Sequence, residues 1–353
     1  MIFIKMYEQK YPHNLRLVLN VCYFAILIFF GSCQTNVNKK IDTSGVDIQY
    51  KAIHFYHDVY AIDTNALETG IEELMVKHPL FSSVFFNELT GFNANNNKDT
   101  FLASVRHFLT YKDYRNLYDT VQKKFPNTKK LDAQLENLFK HIKYYFPDEK
   151  WGNVYYFISG LNQWSAVTVD TLLGIGLDMY LGKDFPYYPS VGLPLYQIEL
   201  CEPEYIAVNA ARTIFENRFP LNPEGKNLLD LMLAKGLQMT FLEYTLPELS
   251  DQMLIGYSKA QLKWCQDNER MIWSYFKKHN LLFSTQWQQI MRYVNEGPSS
   301  TGMPPESPGN IGTWIGWQIM RKYLDQHPSV KWNTLTLKNL DSQKFLAEAK
   351  YKP

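Results

Sequence analysis

Two carboxylates in this 353-residue chain sit where acids are costly: Asp178, in "IGLDMYLG", and Glu269, in "YSKAQLKWCQDNERMIWSYF". Two carboxyl groups can do general acid–base work on a polymer only if they face each other within about 10 Å across a cleft. Asp178 is flanked by Leu177, Met179 and Leu181. The alternation of a strand would place Asp178 and Tyr180 together on an outer, watered face, whereas a buried Asp178 would have to be hydrogen-bonded and would line a cleft with a perturbed pKa. Trp264, beside Glu269, and Trp314, in "GTWIGWQIM", are large amphipathic side chains suited either to core packing or to anchoring a partner. Of these candidates, packing is the default for the tryptophans and the watered face for Asp178.

Other chemistry can be set aside. None of the eight His residues is followed by Glu, so the HExxH metal helix is absent. His54 and His57 could share a metal from one helical turn, but no third ligand lies nearby, and "IHFYHD" reads as a surface segment of aromatics and histidines. There is no GxSxG elbow, P-loop, GxGxxG with a following acid, or CxxC pair. No catalytic set, metal or cofactor is expected. Cys201 and Cys265 could bond to each other in an exported protein, and their spacing leaves that open.

The remaining reactive residue is Cys33. Lys5, Lys10 and Arg16 precede a 14-residue apolar run, Leu17 to Phe30, too short for a span, which needs about 20 residues, and suited to a signal-peptide core. Phe30-Gly31-Ser32-Cys33 then resembles a bacterial lipobox, in which the cysteine is acylated and becomes the new N-terminus. Two or more acyl chains, at about 0.8 kcal/mol per buried CH₂, hold stably to a bilayer. Residues 1–32 are therefore read as a signal peptide and 33–50 as a lipidated cysteine with a polar tether. The remaining 51–353 are read as a single large domain. After cleavage the chain carries 33 Lys+Arg against 34 Asp+Glu with no basic stripe, which argues against a nucleic-acid partner.

The elements that must position these residues are mostly helices. Leu67, Ile71, Leu74 and Met75 share one face, with Asn65 and Glu68 spaced as a cap and Pro79 as a stop. Similar stripes run through Phe101–Leu109 and Leu131–Phe146, and Ser258 with Gln261 forms an S-x-x-Q capping box for a helix to Lys277. Val154–Ile158 and Leu172–Leu181, punctuated by glycines, read as two short strands. Gly312 and Gly316 would let another backbone approach their helix closely, and "NEGPSSTGMPPESPGN", residues 295 to 310, is the one long loop.

Taken together, "YYFISGLN", "GIGLDMYLGKDFPYYPSVGLP", "YSKAQLKWCQDNERMIWSYF" and "GMPPESPGNIGTWIGWQIMRKYL" resemble the gliding-motility lipoproteins called GldB, of the Bacteroidetes, from the lipobox to about Gln326. The resemblance implies an acylated envelope protein required for gliding, working with machinery that exports adhesins, and no known reaction. That family is similar in helical pattern to zinc peptidases, whose metal helix would fall on "YIAVNAARTIFENRFP". Here Val208, Asn209 and Arg212 stand in place of His, Glu and His, and Glu216 is alone. Lys235 and Leu237 also depart from what the family implies for the following helix. The expected fold is α+β, predominantly helical, with a small β element around residues 153–182 on a zincin-like scaffold without its metal motif. "QTNVNKK" after Cys33 lacks an acidic export cluster, so the folded part is expected to face the periplasm. Two functions follow as expectations. One is a lipid-anchored, non-catalytic assembly component binding other envelope proteins, with Trp264 or Trp314 in its contact patch. The other is an envelope hydrolase around Asp178 and Glu269, or a cell-wall-binding protein.

Overall fold

The structure, a computed structural model, describes residues 41–95, 97–336 and 341–353. The signal segment, Cys33 and the tether up to residue 40 lie outside the described residues. The chain enters through Tyr50, whose hydroxyl donates to the Asp132 carbonyl at 2.8 Å, and forms a two-residue strand β1 (Ala52–Ile53). Helices α1 (Phe55–Tyr60), α2 (Leu67–Lys77), α3 (Pro79–Val84), α4 (Lys98–Thr110), α5 (Lys112–Lys124) and α6 (Lys129–Tyr145) follow. Their expected stripes are the buried ones: Leu67, Ile71 and Leu74 on α2, Phe101, Val105 and Phe108 on α4, and Leu131, Leu135 and Leu138 on α6.

Strands β2 (Val154–Phe157), β3 (Ala166–Val169) and β4 (Leu172–Gly176) join β1 in one sheet of order β1-β2-β4-β3. β2 runs parallel to β1 and β4, with Tyr156 opposite Ile175, while β3 returns antiparallel as the edge. The second half holds α7 (Leu195–Ile198), α8 (Ile206–Arg218), α9 (Leu228–Thr245), α10 (Asp251–Ile255), α11 (Lys259–Lys278), α12 (Trp287–Val294), α13 (Ile311–Gln326) and α14 (Ser342–Ala349). The fold is thus predominantly helical with a small sheet, as expected.

Three local expectations are corrected. The two expected strands are part of four, because β1 is only two residues long and β3, Ala166–Val169, is a four-residue edge strand with one buried side chain, too short for either to show alternation. The strand expected to run to Leu181 stops at Gly176, and Leu177–Met179 turn instead as a 3₁₀ segment, so Asp178 is not on a watered strand face at all. An unbroken apolar run does not reveal where a chain turns. Finally, Asn65 and Glu68 do not cap α2. The Asn65 amide donates to Asp63 Oδ1 at 2.8 Å, a local turn that competes with capping, and Glu68 instead pairs with Lys98.

The capping box on α11 is present: Gln261 N donates to Ser258 Oγ at 3.2 Å and Ser258 N to Gln261 Oε1 at 2.9 Å. α9 is buried almost all round, which is why it shows no amphipathic stripe. Its hydroxyls are satisfied within the helix, Thr240 donating to the Gly236 carbonyl at 2.9 Å and Thr245 to that of Phe241 at 2.7 Å. α9 crosses α13 where two glycines meet: a Cβ on Gly316 would lie 1.8 Å from the Met232 carbonyl, and one on Gly236 2.4 Å from that of Gly316. Gly312 likewise sits under Tyr293, as the glycine spacing predicts. Beside the crossing, Arg321 spans Glu243 (Nη2–Oε1, 3.1 Å) and Asp251 (Nη2–Oδ1, 2.8 Å), and Trp317 Nε1 donates to Glu243 at 2.7 Å.

Candidate binding groove

α8 decides where polar chemistry gathers. Ile206, Ala207, Val208, Ala210, Ala211, Ile214 and Phe215 are buried, which leaves Asn209, Arg212, Thr213 and Glu216, three and four residues apart, as one polar stripe. Asn209 Nδ2 donates to the Tyr180 hydroxyl at 2.9 Å. Arg212 reaches Glu296 through Nη1 at 3.0 Å and the Leu254 carbonyl through Nη2 at 2.8 Å. Glu216 accepts from Gln238 Nε2 at 3.0 Å and lies 3.7 Å from the Lys235 ammonium. Burial pushes the Lys235 pKa down, and Glu216 pulls it part of the way back.

Above this stripe lies a cleft of about 330 Å³, lined also by Gln163, Ser165, Gln197 and Cys201. A second cleft of about 450 Å³, lined by Tyr205, Tyr257 and Asn310 among others, adjoins it, and Leu200 and Glu296 belong to both walls. The two join at Leu200 and Glu296 into one groove: α8 and the 177–201 segment wall the smaller cleft, and residues 196–200, 252–261 and the 295–310 loop wall the larger.

Asp178 acts beneath the groove. It is 0 % exposed, and its Oδ2 accepts from Leu161 N at 2.8 Å, Ser159 N at 3.0 Å and Ser159 Oγ at 3.2 Å. These bonds hold a loop in which Leu161 and Gln163 both take left-handed backbone angles, φ +64° and +63°. The loop carries Gln163 to the groove, where Nε2 donates to the Val191 carbonyl at 2.8 Å. Burial raises the Asp178 pKa to about 6, and the bonds from Leu161 and Ser159 restrain it from rising further. Tyr188 locks the same turn from below, donating to the Asp178 carbonyl at 3.0 Å and accepting from Leu181 N at 2.9 Å.

The chemistry available is hydrogen bonding. Cys201, the thiol in the groove, is pushed up to about 12 by burial, with Glu202 adding to the shift, so it stays protonated at neutral pH and is a poor nucleophile. Among the described residues no three His, Cys, Asp or Glu side chains come together to hold a metal ion. Cys201 and Cys265 are both free and buried.

Of the five residues singled out from the sequence, the structure brings only Tyr180 into the groove, with Asp178 supporting it. Glu269 belongs to a separate network at the C-terminus: it accepts from the Tyr351 hydroxyl at 2.8 Å, and burial raises its pKa while the bond from Tyr351 works against the rise. Trp314, 2 % exposed and edge-on to Trp317 at 6.1 Å, offers no surface to a partner, and Trp264 is half-buried. Asp178 and Glu269 share no hydrogen-bonding partner. His54 stacks on His57 at 5.5 Å and bonds Thr128 Oγ1 at 3.1 Å. Sequence reasoning passed over Glu296 and Asn310 as groove residues, although the long loop that carries them was visible, and long irregular loops are often functional.

The family model described as gliding motility protein GldB matches residues 36–353. The chain belongs to the GldB family. That match covers all of the elements above and makes this a gliding-motility protein. Neither the curated proteins nor the solved structures compared with the chain give a match. Among the described residues no helix is long and apolar enough to cross a membrane. The GldB match takes in α8 and its polar stripe, so the groove is a feature of a gliding protein's folded part.

Proposed function

We propose that this GldB-family chain is a lipid-anchored component of the cell envelope, facing the periplasm, that binds other parts of the gliding and secretion machinery without catalysing a reaction. Residues 1–32 act as the signal peptide, Cys33 carries the acyl chains, and the residues up to 50 link the anchor to one folded domain. The scaffold is that of a peptidase-like protein whose metal helix, α8, has become a binding surface. The observation that carries this reading is what the α8 stripe does: Asn209, Arg212 and Glu216 are spent on Tyr180, Glu296, Leu254, Gln238 and Lys235, so they form a wall. An amide and a guanidinium are not general bases at neutral pH, and Glu216, the one carboxylate of the stripe, is turned to Gln238 and Lys235. Asp178 and Glu269, held in separate networks, give no support to a paired-carboxylate hydrolase.

Two measurements test it. The Cys33→Ser variant should leave the membrane fraction for the soluble periplasm and stop colonies gliding, and full membrane retention would contradict the anchor. Crosslinking in living cells with a tagged copy should recover one or a few envelope proteins in fixed proportion. Recovery of no protein at all, with gliding intact, sinks the assembly role.

A further inference from the structure

We propose that the end of α11, the turn after it and the start of α12 form a membrane-contact surface that docks on a bilayer bearing anionic headgroups. The proposal rests on the reading of Cys33 as an anchor, which keeps the folded part beside a membrane, and names the face turned to it.

From Arg270 to Asn295 the chain carries four Lys or Arg residues, Arg270, Lys277, Lys278 and Arg292, and no Asp or Glu. All of these cations are exposed. α11 buries Cys265, Ile272, Trp273 and Phe276, which leaves Arg270, Met271, Ser274, Lys277 and Lys278, three and four residues apart, on its outer face. The helix then folds back on itself: Asn280 takes a left-handed φ of +52°, and Leu281 N donates to the Phe276 carbonyl at 2.9 Å.

The turn that follows presents two aromatic rings outward. Leu229 N donates to the Leu282 carbonyl at 2.9 Å and Leu228 N to that of Ser284 at 3.2 Å, so the backbone on either side of Phe283 is pinned to the start of α9. Leu281 and Leu282 are buried, yet Phe283 stays 56 % exposed and Trp287, four residues on, 46 %. Ser284 Oγ accepts from Gln286 N at 3.3 Å and donates to Gln289 Oε1 at 3.1 Å, which keeps the chain between the two rings tight.

Single exposed apolar residues are ordinary, and what marks this pair is the charge around it. Lysines at a helix C-terminus complement its dipole, but that accounts for neither ring. The segment packed beside the turn adds exposed Glu224, offset by Lys226, and Asp230, whose carboxylate is held by Asn227 N and the Ser342 hydroxyl. Val76 and Leu80, exposed on α2 and α3, make the contrasting case: Glu72 and Glu73 stand beside them, and Lys77 is spent on Asp58. An anionic surface would repel that face and attract this one. Exposed Trp and Phe among basic residues suit the bilayer interface, where the rings enter the headgroup layer and the cations stay with the phosphates. A tether over residues 33–50 spans at most about 60 Å, enough for the anchor to leave the choice of face open. The surface makes that choice.

The test places the full acylated chain in vesicles of phosphatidylcholine, with or without phosphatidylglycerol, whose acyl chains carry bromine to quench nearby tryptophan. The emission of Trp287 is the difference between the parent and Trp287→Phe. It should fall by at least half in the anionic vesicles and recover at high salt, which screens the headgroups. Lys277→Gln combined with Lys278→Gln should restore most of the emission, and Phe283→Ser part of it. All three positions are exposed, so these variants should melt within a few degrees of the parent. Trp287 emission that is equal in brominated and ordinary anionic vesicles overturns the proposal, as does quenching that the lysine changes leave untouched. Disulfide-linked dimers of a Thr285→Cys variant, without quenching, would assign the surface to a second copy and overturn it too. The anchor is judged by flotation with the neutral vesicles. A chain that floats with them but shows no quenching in anionic ones keeps the anchor and loses the surface, one that floats and is quenched only with anionic vesicles does the opposite, and one that floats with neither loses both.

Discussion

Where α9 crosses α13, backbone lies against backbone: Gly316 and Gly236 leave no room for a methyl group. Along α8, the long helix before α9, side chains reach to one another across the groove, Asn209 to Tyr180 and Arg212 to Glu296. The first region spends its small residues on close packing, in which every ångström of separation forfeits dispersion energy. The second spends hydrogen bonds on keeping a polar wall in shape without filling the space before it. The contrast teaches where this chain tolerates change: the crossing should resist any added atom, and the groove should accept substitutions that alter binding more than stability.

The sharpest way to break that contrast is Gly316→Ala. Its added carbon would fall on the Met232 carbonyl, so the helices must part, at an expected cost of about 3 kcal/mol or more and a melting temperature lower by roughly 10 °C in circular dichroism. A melt indistinguishable from the parent would mean that the crossing is not tight.

The Asp178 turn, between the two regions in character, gives the next effect. Because burial raises its folded pKa from 3.8 to about 6, the native state keeps a proton that the unfolded chain releases. The stability from this group is therefore present below pH 4 and is lost as pH rises through about 6, by roughly 3 kcal/mol at full ionisation. Asp178→Asn cannot ionise, so the stability difference between parent and variant should change over pH 4 to 7, in the variant's favour as pH rises, in urea titrations at fixed temperature. A difference constant across that window would show that Asp178 titrates normally.

The smallest effect is expected inside the groove. Arg212 and Glu296 are 19 % and 41 % exposed, an ion pair worth under about 1 kcal/mol. Arg212→Met should thus melt within a few degrees of the parent. Were it to unfold the protein, α8 would belong with the packed crossing and not with the wall.

Much of the architecture was legible because its cause is local. Leu131, Leu135 and Leu138 bury on one face through the helical period alone, and Ser258 with Gln261 closes a cap three residues apart. Asp178 shows the limit. Its residue type signalled that it must be paired or watered, but the alternation that favoured water assumed a strand through Leu181, and the turn at Leu177 depends on tertiary contacts with Tyr188 and Ser159. Trp314, for which packing was the default and a contact patch the alternative, lies in the core at 2 % exposure.

The sequence by itself determined the stripes, the α11 cap, the Gly312 and Gly316 close approach and the family, because each depends on residues within a few turns of one another or on an ordered run of motifs. Only the tertiary structure decided the groove. Gln163, Tyr180, Arg212 and the pair Glu296 and Asn310 lie on four separate segments, and no period links them. They meet because the apolar face of α8 has to be buried, and burying it turns the polar face toward the loop at 295–310.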